Sequence, residues 1–172
     1  MMKPVVINVR SVIGANVINF NGGKMDSKVI VKYKKFDESK ELFVPEYKSE
    51  GASGMDIMSI EDVFIPPNET RIVKTNLAVE IPQGTELQIR SRSGLSAKNG
   101  IFVLNGVGVL DSDYRGEILI ILHNVGKSIF KINIGDRIAQ ISLSRVEKIE
   151  LYQDELSKTD RGEGGLGSTG IH

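Results

Sequence analysis

The 172-residue chain suits one domain large enough to bury a core, and its 22 basic and 22 acidic residues cancel to a formal net charge of zero. That balance excludes a global basic field for DNA or a membrane surface, so an anionic ligand must be held by locally placed groups. With no cysteine and only His123 and His172, the chain also excludes disulfides, thiolate nucleophiles and cysteine- or His₃-bound zinc.

A catalytic base is then expected to be a carboxylate, and a metal to be a hard ion bound through oxygen. No segment reaches the roughly 18 unbroken apolar residues of a membrane span. Asn8, Arg10, Asn16, Asn19 and Asn21 interrupt the N-terminal apolar runs, which makes a secretory signal a poor reading. A reducing, cytoplasmic setting is expected, with nucleus or organelle also open.

In chain order, residues 1–27 read as a leader ending in Asn21-Gly22-Gly23-Lys24, either a loosely held extension or an extra edge strand, with Met25 an alternative start. Residues 28–152 read as a β domain of short apolar alternations. The pattern predicts strands at Val29–Tyr33, Val63–Ile65, Thr70–Lys74, Leu77–Ile81, Glu86–Arg90 and Ile101–Leu104, then at Glu117–His123, Ile129–Ile132 and Ile138–Leu143. A last strand is expected over Glu147–Tyr152. Pro66-Pro67-Asn68, Pro82-Gln83-Gly84, Asn124–Lys127 and Asn133–Asp136 supply the breaks. One short helical turn is expected near Ser93–Lys98. Many short strands between Gly/Pro turns imply a β-sandwich or barrel. Residues 153–172 form a polar linker and then Arg161–Gly170, with five glycines in ten residues, either a disordered end or an arm that folds over a ligand.

Five stretches could carry chemistry. In Glu50–Ile57, Asp56 sits between apolar residues, where an unpaired charge is costly, so it needs a partner, either an arginine or a water-shelled metal. Arg92-Ser93-Gly94-Leu95 offers a guanidinium, a hydroxyl and backbone amides to one phosphate, or is an ordinary surface turn. Asn105–Glu117 reads as a tight glycine hairpin. In it Asn105 is able to read a base edge, Asp111 is a candidate base and Tyr114 a stacking surface, unless the hairpin is plain and its carboxylates solvated. Gly135–Gln140 reads as a turn, a salt bridge and a strand, with Gln140 free to point its amide at a phosphate. In the tail, Gly162–Thr169 resembles a P-loop with serine in place of lysine. No strand precedes it and no helix follows, so an anion-binding nest with Arg161, Ser168 and Thr169 is the better reading.

In this order the five stretches resemble the signature motifs of the trimeric dUTPase family, from about Lys28 to Gly170, and GVLDSDYRGE is the most specific. The resemblance implies an all-β, distorted jelly-roll barrel or sandwich with a flexible glycine-rich C-terminal arm. It also implies a homotrimer whose active sites are shared between subunits, with no nucleic-acid or membrane partner. The activity implied is hydrolysis of dUTP to dUMP and pyrophosphate, limiting uracil incorporation into DNA and supplying dUMP for dTMP synthesis. Asn105, Gly108 and nearby backbone groups would hold the uracil and leave no room for thymine's methyl. Tyr114 would pack on the deoxyribose and exclude a 2′-hydroxyl. Asp111 would deprotonate the water that attacks the α-phosphorus. Arg92, Ser93 and Gly94 would grip the phosphates from a neighbouring subunit, assisted by Gln140. Arg161, Leu166, Gly167, Ser168 and Thr169 would close over the nucleotide, Arg161 reaching the γ-phosphate. Mg²⁺ would be held mainly by the phosphates, with Asp56 near its water shell. The chain departs from the family at Leu166, where the family has phenylalanine; leucine keeps an apolar lid but loses the π-face over the base. A related deaminase of dCTP and a non-catalytic nucleotide-sensing or protein-binding module are the competing classes.

Overall fold

The computed structural model describes residues 28–165. The leader 1–27 and the arm residues Leu166, Gly167, Ser168 and Thr169 lie outside them. From Val31 onward the described residues belong to one compact unit. Its elements are β1 (Lys32–Lys35), β2 (Met55–Met58), β3 (Val63–Ile65), β4 (Thr70–Lys74), β5 (Leu77–Glu80), β6 (Thr85–Arg90), α1 (Ser93–Asn99), β7 (Ile101–Val103), β8 (Val107–Leu110), β9 (Leu119–Asn124), β10 (Phe130–Ile132) and β11 (Arg137–Arg145).

These strands make a four-stranded sheet ordered β2-β11-β6-β8, a three-stranded sheet ordered β4-β9-β7, and the pairs β1-β5 and β3-β10. Every ladder is antiparallel, and no strand pairs with its neighbour in sequence. Each turn therefore hands the chain from one sheet to another, which makes the fold a distorted all-β jelly roll. The alternation in the sequence has its cause here. Along β9, Ile120, Leu122 and Asn124 are buried while Leu119 is exposed and Ile121 and His123 are partly covered. The core between the sheets is almost wholly Ile, Val and Leu, with Ile65, Val73, Ile120, Leu122 and Ile132 all fully buried. Branched side chains pack well on a pleated surface, so strand propensity and core formation agree.

Most predicted strands appear within a residue or two of the expected bounds, and the helical turn is α1. Three expectations are corrected. The first strand starts at Lys32 rather than Val29, because the partners that β5 offers begin at Glu80 opposite Lys32. Glu147–Tyr152 is not a strand: Ile149 and Leu151 lie exposed with no ladder to join among the described residues. The segment around Asn105 is not a hairpin either. Its two arms, β7 and β8, pair with β9 and β6 respectively, so the turn at Leu104–Gly106 is a corner between two sheets. Two strands went unpredicted. β2 has only four residues and carries Asp56 inside it, and β8 was hidden in the glycine-rich stretch.

Candidate active site

Strand β8 delivers the central residues. Gly108 and Leu110 face inward, Val107 and Val109 face out, and Asp111 leaves the strand exposed at its end. The Gly108 position is tight, since a Cβ there would lie 3.1 Å from the Asn105 amide nitrogen and 3.2 Å from Ile89 Cβ and would press on both. Asn105 can thus lie across the strand. After Asp111 the chain curls, with the Tyr114 N–H donating to the Asp111 carbonyl at 3.2 Å. Arg115 Nη1 donates to the carbonyls of Ser112 and Tyr114, each at 2.8 Å, and holds the curl. As a result Asn105, Gly108, Asp111 and Tyr114 line one cavity of about 240 Å³, walled by Ile89, Leu119 and Ile121 and edged by Glu117. Among the described residues, none donates a hydrogen bond to the Asp111 carboxylate. A larger hollow of about 390 Å³ over β1 and β5 is bordered by Arg115 but contains none of Asn105, Gly108, Asp111 and Tyr114.

A second cluster forms on the same four-stranded sheet. Asp56 on β2 is 5% exposed. Its Oδ1 accepts from Arg92 Nε at 3.1 Å and Gln140 Nε2 at 3.3 Å, and its Oδ2 accepts from Arg137 Nη1 at 3.0 Å. Arg92 Nη1 also donates to the Arg137 carbonyl at 2.8 Å. The partner that Asp56 required is thus a pair of arginines. Arg137 and Gln140 are three residues apart, which in an unbroken strand would place them on opposite faces. A bulge between Arg137 and Ala139 supplies the extra residue that brings both to Asp56. Arg137 escaped sequence reasoning because an alternation pattern carries no trace of a bulge.

Arg92 is also the residue that starts α1, and no side chain caps that helix and no acidic residue lies in its first turn. Ser93 and Gly94 there are exposed, and a Cβ on Gly94 would meet nothing within 4 Å. Packing among the described residues therefore gives no reason for glycine at that position.

The two clusters are separate on the sheet. Asp56, Gln140 and Arg90 are cross-strand partners in one row, while Ile141, Ile89 and Gly108 are partners in the next. Neighbouring residues of a strand point to opposite faces. The Gly108 cavity and the hollow beside Arg92 and Arg137 share no lining residue. Arg161 is exposed, donates to the Gly164 carbonyl at 2.8 Å and lines neither cluster's cavity.

The model of the dUTPase family matches residues 40–170. The chain is 47% identical over 145 residues to the deoxyuridine 5′-triphosphate nucleotidohydrolase of Zymomonas mobilis, covering 84% of this chain and 99% of that one. It is 52% identical over 128 residues to the enzyme of the same name from Wolinella succinogenes, covering 74% and 86%. Among solved structures it is similar to the Staphylococcus bacteriophage 80alpha dUTPase with dUpNHpp, with a TM-score of 0.75, 28% identity, and 83% and 99% coverage. It is also similar to a mutant of the phage phi11 dUTPase described with a structural Mg(II) ion, with a TM-score of 0.67, 26% identity, and 76% and 99% coverage.

Proposed function

The chain belongs to the dUTPase family, and we propose that it hydrolyses dUTP to dUMP and pyrophosphate with Asp111 as the base that activates water. The observation that carries this reading is the single cavity gathering Asn105, Gly108, Asp111 and Tyr114. Asn105 and the neighbouring backbone meet the uracil edge, and Gly108 gives them room. Tyr114 packs on the deoxyribose. Asp111 takes a proton from water as its oxygen bonds to the α-phosphorus, and the bond from that phosphorus to the bridging oxygen breaks to release pyrophosphate. Little covalent chemistry is asked of the protein; positioning and charge neutralisation carry the step.

Arg92, Ser93 and Gly94 hold the phosphates, with Gln140 beside them. Because this cluster lines none of that cavity, it serves the site of a second copy, and a homotrimer is the assembly proposed. Arg161, Leu166, Gly167, Ser168 and Thr169 close over the nucleotide.

No three His, Asp or Glu side chains converge among the described residues, and both Asp56 oxygens already take guanidinium donors. The donor set is thus no cage for a bare ion, but it fits Mg²⁺ carried in by the triphosphate and water, where it would neutralise charge on the leaving group. Asp56 would share its carboxylate between that water shell and the arginines, and its main part is to hold Arg92 in place.

A panel of dUTP, dTTP, dCTP and UTP with Mg²⁺ and pyrophosphate detection tests the reading. Pyrophosphate from dUTP is expected, and ammonia from dCTP would favour a deaminase instead. Asp111→Asn should abolish turnover and keep nucleotide binding; near-normal kcat in that variant refutes the role of Asp111.

A further inference from the structure

Tyr114 is 42% exposed, too open for packing alone to fix its ring. Two contacts hold it. The ring folds over Gly116, where a Cβ would lie 2.3 Å from Tyr114 Oη. The hydroxyl donates to the Glu117 carbonyl at 3.0 Å. Glu117 is itself anchored through its side chain. Its Oε1 accepts the backbone N–H of Thr75 at 3.1 Å and of Asn76 at 2.7 Å. Asn76 is a firm anchor point, 1% exposed and left-handed at φ 55°. Its own side chain bonds the backbone of Asp37 and Glu41. Glu117 thus ties the corner between β4 and β5 to the wall of the cavity.

We propose that Glu117 is a positioning residue that sets the Tyr114 ring and through it the preference for a deoxyribose over a ribose nucleotide. The proposal rests on the reading of Tyr114 as the sugar-facing wall. A glutamate that only braced the Thr75–Asn76 corner would affect stability and leave sugar selectivity alone.

The test measures kcat and KM for dUTP and UTP in the full-length enzyme and its variants. Glu117→Ala should lower the dUTP-over-UTP ratio of kcat/KM about tenfold, the size of about one ordinary net hydrogen bond, because only part of the lost anchoring is felt at the ring. The change should sit mainly in KM, with kcat for dUTP altered by less than about threefold. Glu117→Gln keeps an acceptor oxygen and should retain most of the ratio. Gly116→Ala displaces the ring from the other side without touching the Thr75 and Asn76 bonds, and should lower the same ratio. If Glu117→Ala does not fold, Glu117→Asp, which keeps the charge but shortens the reach to Thr75 and Asn76, takes its place and should lower the same ratio, while Tyr114→Phe, which deletes only the bond to the Glu117 carbonyl, checks that the ring position sets it. Unchanged ratios across these variants overturn the proposal. A wild-type enzyme that turns over UTP as readily as dUTP overturns the sugar-wall reading, and the proposal falls with it.

Discussion

Polar side chains buried among aliphatic ones carry much of this protein's specificity. Asn124, fully buried, gives its Nδ2 to the carbonyls of Ile65 at 2.7 Å and Ser128 at 2.9 Å, and its Oδ1 accepts the Gly126 N–H at 2.8 Å. Removing it strands a core carbonyl. Asn124→Ala is expected to cost about 2 kcal/mol, seen as a fall of about 4–8 °C in Tm at fixed protein concentration. Asp56→Ala differs in kind. Breaking a fully buried ion pair costs about 3–5 kcal/mol, but Arg92 and Arg137 keep 24% and 46% of their side chains open to water and can hydrate when released. The expected stability loss is therefore smaller, about 1–3 kcal/mol. The larger effect should be on KM for dUTP, because Arg92 loses the group that aims it; steady-state kinetics with unchanged KM would contradict this.

Turns and edges decide where the elements stop. α1 ends at Gly100, left-handed at φ 69°, whose amide closes on Ser96. A Cβ at Gly100 would lie 2.8 Å from the Gly126 backbone nitrogen. Gly100→Ala therefore combines backbone strain with a clash that no rotamer relieves, and a loss of about 1–3 kcal/mol is expected in chemical unfolding. The β1 edge has a pH-dependent latch. Lys32 donates to Glu80 across the ladder at 2.8 Å and holds the Glu80 carboxyl below its ordinary range. A depressed carboxylate contributes stability above its unfolded pKa, and that contribution is lost as pH falls through the folded value. The pair is exposed on both sides, so the effect is small: protection of the β1 amides, taken relative to their intrinsic exchange rates at each pH, should fall slightly as pH drops below the ordinary glutamate range, and Glu80→Gln should abolish that dependence.

For the molecule as a whole, the separation of the Asp111 cavity from Arg92 makes a direct prediction. If the cavity of one copy is completed by Arg92 of another, mixing inactive Asp111→Asn with inactive Arg92→Ala should restore activity. Random exchange within a cyclic trimer leaves about a quarter of sites with both residues intact. If each chain builds its own site, no mixture recovers. The uncovered apolar residues of the C-terminal segment, with Leu151 91% exposed, likewise find nothing to pack against among the described residues.

The aliphatic alternation of β4, β6 and β9 was legible from the residues, because a half-buried strand imposes a period of two on its own sequence. The chemistry of Asp56 was half legible: a carboxylate inside an apolar run announces that it needs a partner, though not which one. Asp111 and Tyr114 could be singled out by their motif, and the tertiary fold set them together on one cavity. Everything non-local lay beyond reading. Because no strand pairs with its sequence neighbour, the corner at Leu104–Gly106, the bulge that turns Arg137 toward Asp56, and the bond from Glu117 to the Thr75–Asn76 corner all depend on residues brought together from distant parts of the chain. Local pattern records which way a side chain must face; only closure of the sheets decides what it meets there.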